Sequence, residues 1–151
     1  MAHDLPDAVA RRPAAYVKIG CTGNLVQRMD SIEEQCGYAP QLQFDVPTRH
    51  YLLVEGLVHL ELDGARRRET VPCPNCQVCH IERFKVDAAV ARRKVEAWRD
   101  WVARKPFEGR ALEKEWAARL QMVKLGQEGQ WEWFVKGSEV PRTEWRRGFC
   151  E

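Results

Sequence analysis

Ala15-Tyr16-Val17-Lys18-Ile19-Gly20-Cys21-Thr22-Gly23-Asn24-Leu25 is the stretch from which the fold is read. Tyr16, Val17 and Ile19 favour extended backbone, so residues 15–20 form a short strand. Thr22, Gly23 and Asn24 supply turn and N-cap chemistry. Leu25, Met29 and Ile32 then recur at helical spacing, which predicts a first helix from about Asn24 to Gln35. A strand turning directly into an amphipathic helix implies a mixed α/β (α+β) domain.

The pattern extends outward on both sides. Residues 1–14 read as a polar leader without periodicity. After Gly37 and Pro40, residues 41–46 alternate polar and apolar side chains (Leu42, Phe44, Val46) and predict a half-buried strand that Pro47 stops. Thr48 caps a second helix carrying Tyr51, Leu52, Glu55, Val58, His59 and Leu62, broken at Gly64 and followed by the basic turn Arg66-Arg67-Arg68. Residues 69–80 are a loop. A strand follows over 81–86, and Asp87 caps a third helix over about 88–104, with Val90, Val95, Trp98 and Val102 inward. Pro106 and Gly109 precede a fourth helix over about 110–125. Trp131 to Lys136 reads as a last strand, expected to cover the sheet edge that would otherwise stay unpaired. The expected architecture is a small antiparallel sheet flanked by helices: a domain over 15–104 with a metal-binding loop, and an extension over 105–151 packed on it.

Composition narrows the function classes. Twenty-four Lys plus Arg against 22 Asp plus Glu give a net charge of +2, which excludes a protein held to nucleic acid by bulk charge but not one using local basic patches. No apolar run reaches membrane-spanning length. The first residues carry acids and no apolar segment, so the expected location is intracellular, nuclear or cytoplasmic. Six cysteines in that setting point to a metal site rather than a disulfide scaffold.

Cys73-Pro74-Asn75-Cys76-Gln77-Val78-Cys79-His80 carries the most specific chemistry. Two thiolates separated by two residues can reach one cation across a turn, and thiolate with imidazole favours tetrahedral zinc. Cys73 and Cys76 with His80 or Cys79 give three ligands. A closed site needs a fourth, for which Cys36 at the end of the first helix is the candidate. The competing reading is of ordinary free cysteines in a loop.

Lys18-Ile19-Gly20-Cys21-Thr22, Asn24, Arg28, the stretch Glu55 to Leu62, and His80-Ile81-Glu82-Arg83-Phe84 resemble the GIY-YIG nuclease superfamily. More narrowly they resemble its bacteriophage Orf172-type DNA-binding domain subgroup, which has fungal-type members. The resemblance implies a small antiparallel sheet with helices packed on it, DNA as partner and phosphodiester hydrolysis with one divalent metal, magnesium or manganese. It places Arg28 as the phosphate-holding arginine, Glu55 as the metal-binding glutamate and Tyr16 near the position of a water-orienting tyrosine. It also implies zinc on Cys73, Cys76 and His80, with Cys36 favoured over Cys79 as the fourth ligand. In the matching strand, Arg83 stands where fungal-type members carry tryptophan. The stretch before Gly20 contains no Gly-Ile-Tyr, and Tyr16 is two residues off the matching position, so cleavage is expected to be weak or lost.

Chemistry agrees with those roles. Arg28 can donate bidentately to a phosphate, Glu55 can hold a hard cation through oxygen, and His59, one helical turn beyond Glu55, can act as base or hydrogen-bond partner. The alternative for these residues is an ordinary ion pair with a satisfied histidine. Lys18, Arg66, Arg67 and Arg68 are candidate nucleic-acid contacts. Arg92-Arg93-Lys94 and Arg142 with Arg146-Arg147 are weaker ones, since interspersed acids also suit a solvated surface. Tryptophans 98, 101, 131, 133 and 145 can stack on bases or fill a core. Two functions follow: a zinc-containing GIY-YIG-like DNA-binding domain with weak or lost nuclease activity, or a catalytically inactive, zinc-stabilised protein-interaction domain.

Overall fold

The computed structural model describes residues 16–137. The expected leader and the basic tail, with Arg142, Trp145, Arg146, Arg147 and Cys150, lie outside the described residues. Two units are distinguished: one from the N-terminal part to Asp45 together with Leu62–Ala91, the other from Val46–Glu61 together with the chain from Arg92. The described residues form an α+β fold with two separate two-stranded antiparallel sheets.

In the first unit, β1 (Tyr16–Lys18) pairs antiparallel with β2 (Arg83–Lys85), in the register Tyr16↔Lys85, Val17↔Phe84, Lys18↔Arg83. Ile19 N–H donates to the Glu82 carbonyl at 3.0 Å. On the other side of β2, Arg67 N–H donates to the Arg83 carbonyl at 2.8 Å, and Arg66 bridges Phe84. Directly opposed residues of an antiparallel pair share a face. Val17 and Phe84 are buried on one face; Tyr16 and Lys85 are exposed on the other, with Lys18 and Arg83 beside them. Helix α1 (Leu25–Cys36) begins at Asn24, whose side-chain oxygen accepts from Gln27 N–H at 3.1 Å, as the sequence predicts.

In the second unit, α2 (Tyr51–Glu61) buries Val54 and Val58. Helix α3 (Ala88–Ala103) starts in the first unit, where Asp87 Oδ1 accepts from Ala89 N–H at 2.8 Å and caps it as expected. Within the second unit α3 buries Trp98, Trp101 and Val102. A hairpin of β3 (Phe107–Glu108) and β4 (Ala111–Leu112) turns at Gly109, whose φ is +62°. Helices α4 (Lys114–Gln121) and α5 (Gln130–Lys136) follow. Trp101 sits in edge-to-face contact with Trp98, Phe107 and Trp116, at centroid distances of 5.4, 5.7 and 5.5 Å. Such pairs add to what area burial alone contributes. Glu61 carboxylate takes the Trp98 indole N–H at 2.7 Å and the Lys94 ammonium, so the polar end of α2 is paired.

Three expectations are corrected. Residues 41–46 form no strand: their alternation has no neighbouring strand, and Leu42 stays 53% exposed. Residues 131–136 are helical, so the proposed sheet-covering strand does not exist. Gly129, at φ +76°, enters α5, and Trp131, Phe134 and Val135 share a helical face, with Trp131 and Phe134 ring centroids 5.8 Å apart. A six-residue aromatic run fits both periods, and packing onto Trp98 and Trp101 selects the helical one. The predicted helix over 110–125 is shortened, because residues 107–112 form the hairpin instead.

Candidate metal centre

Cys36 is the last residue of α1, and the helix stops there because Gly37 takes a left-handed φ of +71° while its N–H donates to the Glu33 carbonyl at 2.9 Å. That turn delivers the Cys36 side chain to the loop containing the other three ligands. The loop closes on itself: Gln77 N–H donates to the Cys73 carbonyl at 2.9 Å, and Cys73 N–H to the Val78 carbonyl at 3.0 Å. Gln77 also occupies the left-handed region, at φ 59°, and its side-chain amide holds the Pro74 carbonyl at 2.8 Å. Asn75 Nδ2 donates to the Cys36 carbonyl at 2.7 Å, tying loop to helix.

Cys36, Cys73, Cys76 and His80 present ligand atoms that all lie within 4.8 Å of one another. Cys36 Sγ is 3.9 Å from Cys76 Sγ, and His80 Nε2 lies 3.5 Å from Cys36 Sγ and 3.4 Å from Cys76 Sγ. Zinc bonds of about 2.3 Å to sulfur and 2.0–2.1 Å to nitrogen in a tetrahedron require about 3.8 Å between sulfurs and about 3.6 Å between sulfur and nitrogen. The donor set therefore has the spacing and the softness of a closed zinc site, and it can hold a metal ion without a carboxylate. Cys79 is not in the cluster; among the two candidates for the fourth position, the geometry brings in Cys36.

The cluster's electrostatics favour thiolate at one corner. The backbone N–H of Cys76 first, then the His80 side chain and the backbone N–H of Asn75, lower Cys73 from its ordinary 9.0 to about 6. Cys36 moves the other way, raised by desolvation first and then by the neighbouring Cys76 and Cys73 thiols. One cation would relieve that crowding by displacing the protons that the remaining thiols carry.

A further set of side chains, not anticipated from the sequence, surrounds the ligands. Glu69 Oε2 accepts the His80 backbone N–H at 3.2 Å, and its Oε1 pairs with Arg83 Nη1 at 3.1 Å. Arg83 Nη2 reaches Tyr38 Oη at 3.4 Å, and its guanidinium lies 5.7 Å from the Tyr38 ring centre. No spacing rule reveals such partners, because a carboxylate that accepts a backbone N–H can come from any nearby loop position.

The other sequence-derived candidates divide between the units. In the first, Lys18 Nζ and Arg28 Nη2 share Glu82 Oε2 at 3.0 and 3.8 Å. Tyr16 is exposed beneath the Arg67 guanidinium, 4.9 Å from its ring centre. Arg68 pairs with Asp63 at 3.1 Å and stays mostly exposed. Arg66 is committed inside the unit: it pairs with Asp63 at 2.9 Å, donates to the Ile81 carbonyl at 2.6 Å and lies over the Phe84 ring, with only 12% of its side chain exposed. In the second unit, Glu55 and His59 are half-buried on α2, one turn apart. Lys94 is engaged by Glu61, and Arg92 pairs with Glu96 at 2.9 Å. Trp98 and Trp101 are core residues and cannot stack on bases.

A family model described as the T5orf172 domain matches residues 7–105, which takes in the metal cluster, α2 and α3. No curated protein and no solved structure matches the chain.

Proposed function

Since the chain belongs to the T5orf172 domain family, we propose that it is a zinc-containing, nuclease-like DNA-binding domain of GIY-YIG type in which cleavage is weak or lost. The observation that carries this reading is the outer face of the β1–β2 ribbon. There Lys18, Arg67, Arg83 and Lys85 stand around Tyr16, while Val17 and Phe84 hold the opposite face in the core. Phosphate contacts by Arg and Lys position a protein on DNA, and an exposed tyrosine ring can stack on a base or sugar.

In this reading Cys36, Cys73, Cys76 and His80 hold zinc, and four protein ligands leave it no open position, so its role is structural. Thiols at this density suit a reducing compartment, and in this reading the protein works in the nucleus or cytoplasm. If the older chemistry persists, Glu55 would carry magnesium or manganese, and Arg28 the phosphate; the absence of a Gly-Ile-Tyr stretch argues against efficient turnover.

A second reading, a zinc-stabilised protein-interaction domain without catalysis, is favoured by the apolar exposure of α2, where Leu52 and Leu60 are 70% and 74% exposed. A binding titration of the zinc-loaded chain with duplex DNA at two salt concentrations separates the two. Phosphate-led binding weakens steeply as salt rises, and absence of binding at low salt removes the DNA reading.

A further inference from the structure

We propose that Arg83 is a phosphate-contacting residue aimed by the side chains that flank the metal centre, so that Glu69 acts as its positioning residue. The inference rests on the DNA-binding reading and names a contact within it. Arg83 lies on β2 directly opposite Lys18, on the outer face of the ribbon, and keeps 26% of its side chain exposed. Its guanidinium is gripped from two sides, by Glu69 Oε1 at 3.1 Å and by Tyr38 Oη at 3.4 Å.

Both grips originate at the metal ligands. Glu69 uses its second oxygen on the backbone N–H of His80, and Tyr38 is two residues from Cys36, just past the helix-ending Gly37. Glu69 is 13% exposed, so its carboxylate cannot turn freely to solvent. A guanidinium has five N–H donors, and these two partners use two of them, leaving the rest for an anion. An arginine already held in one orientation gives up less side-chain freedom when it meets a phosphate. Lys18 across the strand pair adds a second cation to the same face, although Glu82 shares it. The arrangement therefore links the metal loop to the DNA-facing side of the ribbon through one carboxylate.

The test uses the full chain loaded with zinc and a short fluorescent duplex of mixed sequence, titrated over a series of salt concentrations. Arg83→Gln should weaken binding about tenfold and lower the slope of log affinity against log salt by about one, with zinc content unchanged. Glu69→Gln separates aiming from simple charge. If Glu69 aims Arg83, the substitution weakens binding severalfold in the otherwise native chain and has no effect beside Arg83→Gln. If Glu69 only repels phosphate, it strengthens binding equally in both backgrounds, and the positioning role is overturned. If Arg83→Gln loses its metal, Arg83→Lys is used instead: it keeps the charge and the salt slope but lacks the planar fork, so affinity should still fall. Native affinity and slope in the Arg83 variants overturn the contact. Failure of the native chain to bind DNA at any salt overturns the DNA-binding reading itself, a result distinct from unaltered variants.

Discussion

The side-chain amide of Asn75 donates to the carbonyl oxygen of Cys36 across 2.7 Å, so the cysteine loop and the last residue of α1 are joined by a bond that needs no metal. The contact satisfies a helix-end carbonyl and sets the approach of Cys36 to Cys76. It also favours glycine at residue 37. A Cβ there would meet Asn75 Nδ2 at 2.5 Å, and the φ of +71° is itself unfavourable for a side chain.

Gly37→Ala is therefore expected to lower stability by at least about 1–2 kcal/mol from the backbone alone, and more from displacement of Asn75. Urea unfolding with a competitive zinc titration measures both effects. Zinc affinity should fall together with stability, and unchanged values in both measurements would separate the helix end from the metal loop.

Acid should release the metal. Thiolates bind zinc and thiols do not. Cys73 is lowered to about 6, so its ionised form is available at neutral pH. A group with a depressed folded value contributes stability that is complete above its ordinary 9.0 and is lost as pH falls through about 6. Zinc affinity followed by competition with a chromogenic chelator should accordingly fall as pH is lowered, because protons compete with the cation for the thiolates. Cys36, shifted upward, holds its proton at neutral pH in the metal-free chain, so uptake should release protons and Cys36→Ser should release fewer. Zinc affinity that does not change with pH would contradict the thiolate account.

With magnesium or manganese the chain should nick or cleave DNA weakly or not at all. Conversion of supercoiled plasmid is the readout. Efficient cleavage abolished by Glu55→Ala would show that the catalytic apparatus survives without a Gly-Ile-Tyr stretch.

Beyond the family match, Arg119 should prove a main support of the second unit. It is 3% exposed, donates Nε to the Phe134 carbonyl at 3.1 Å and Nη2 to the Trp133 carbonyl, and stacks 3.8 Å from the Trp133 ring centre. It thereby satisfies carbonyls near the end of α5. Charge-assisted hydrogen bonds and a desolvated cation–π contact together put the cost of Arg119→Ala at about 3 kcal/mol. Arg119→Lys should recover only part of it, because an ammonium cannot fork to two carbonyls while stacking. Thermal unfolding of both variants checks this, and equal stability of the lysine variant would refute the forked contact.

The sequence carries some of these relationships openly and conceals others. Asn24 and Asp87 announce their helices because capping is local chemistry, and the Cys73–Cys76 spacing announces a ligand pair because one turn sets it. Glu69, Tyr38 and Arg83 give no such sign, since their contacts join loop and strand positions that only the folded chain brings together. Trp131 to Lys136 misleads because aromatic residues favour strands while their i, i+3 and i, i+4 spacing equally suits one helical turn; tertiary packing decides. Residues 41–46 mislead for a related reason: alternation describes a strand only where another strand supplies its hydrogen bonds.

Metal content tests the central claim most directly. Elemental analysis of the chain purified without chelator should find about one zinc per molecule, as a four-ligand site requires, with loss of zinc or much weaker retention in Cys36→Ser and unchanged content in Cys79→Ser. Zinc-free native protein, or loss in Cys79→Ser with full retention in Cys36→Ser, would contradict a centre built from Cys36, Cys73, Cys76 and His80.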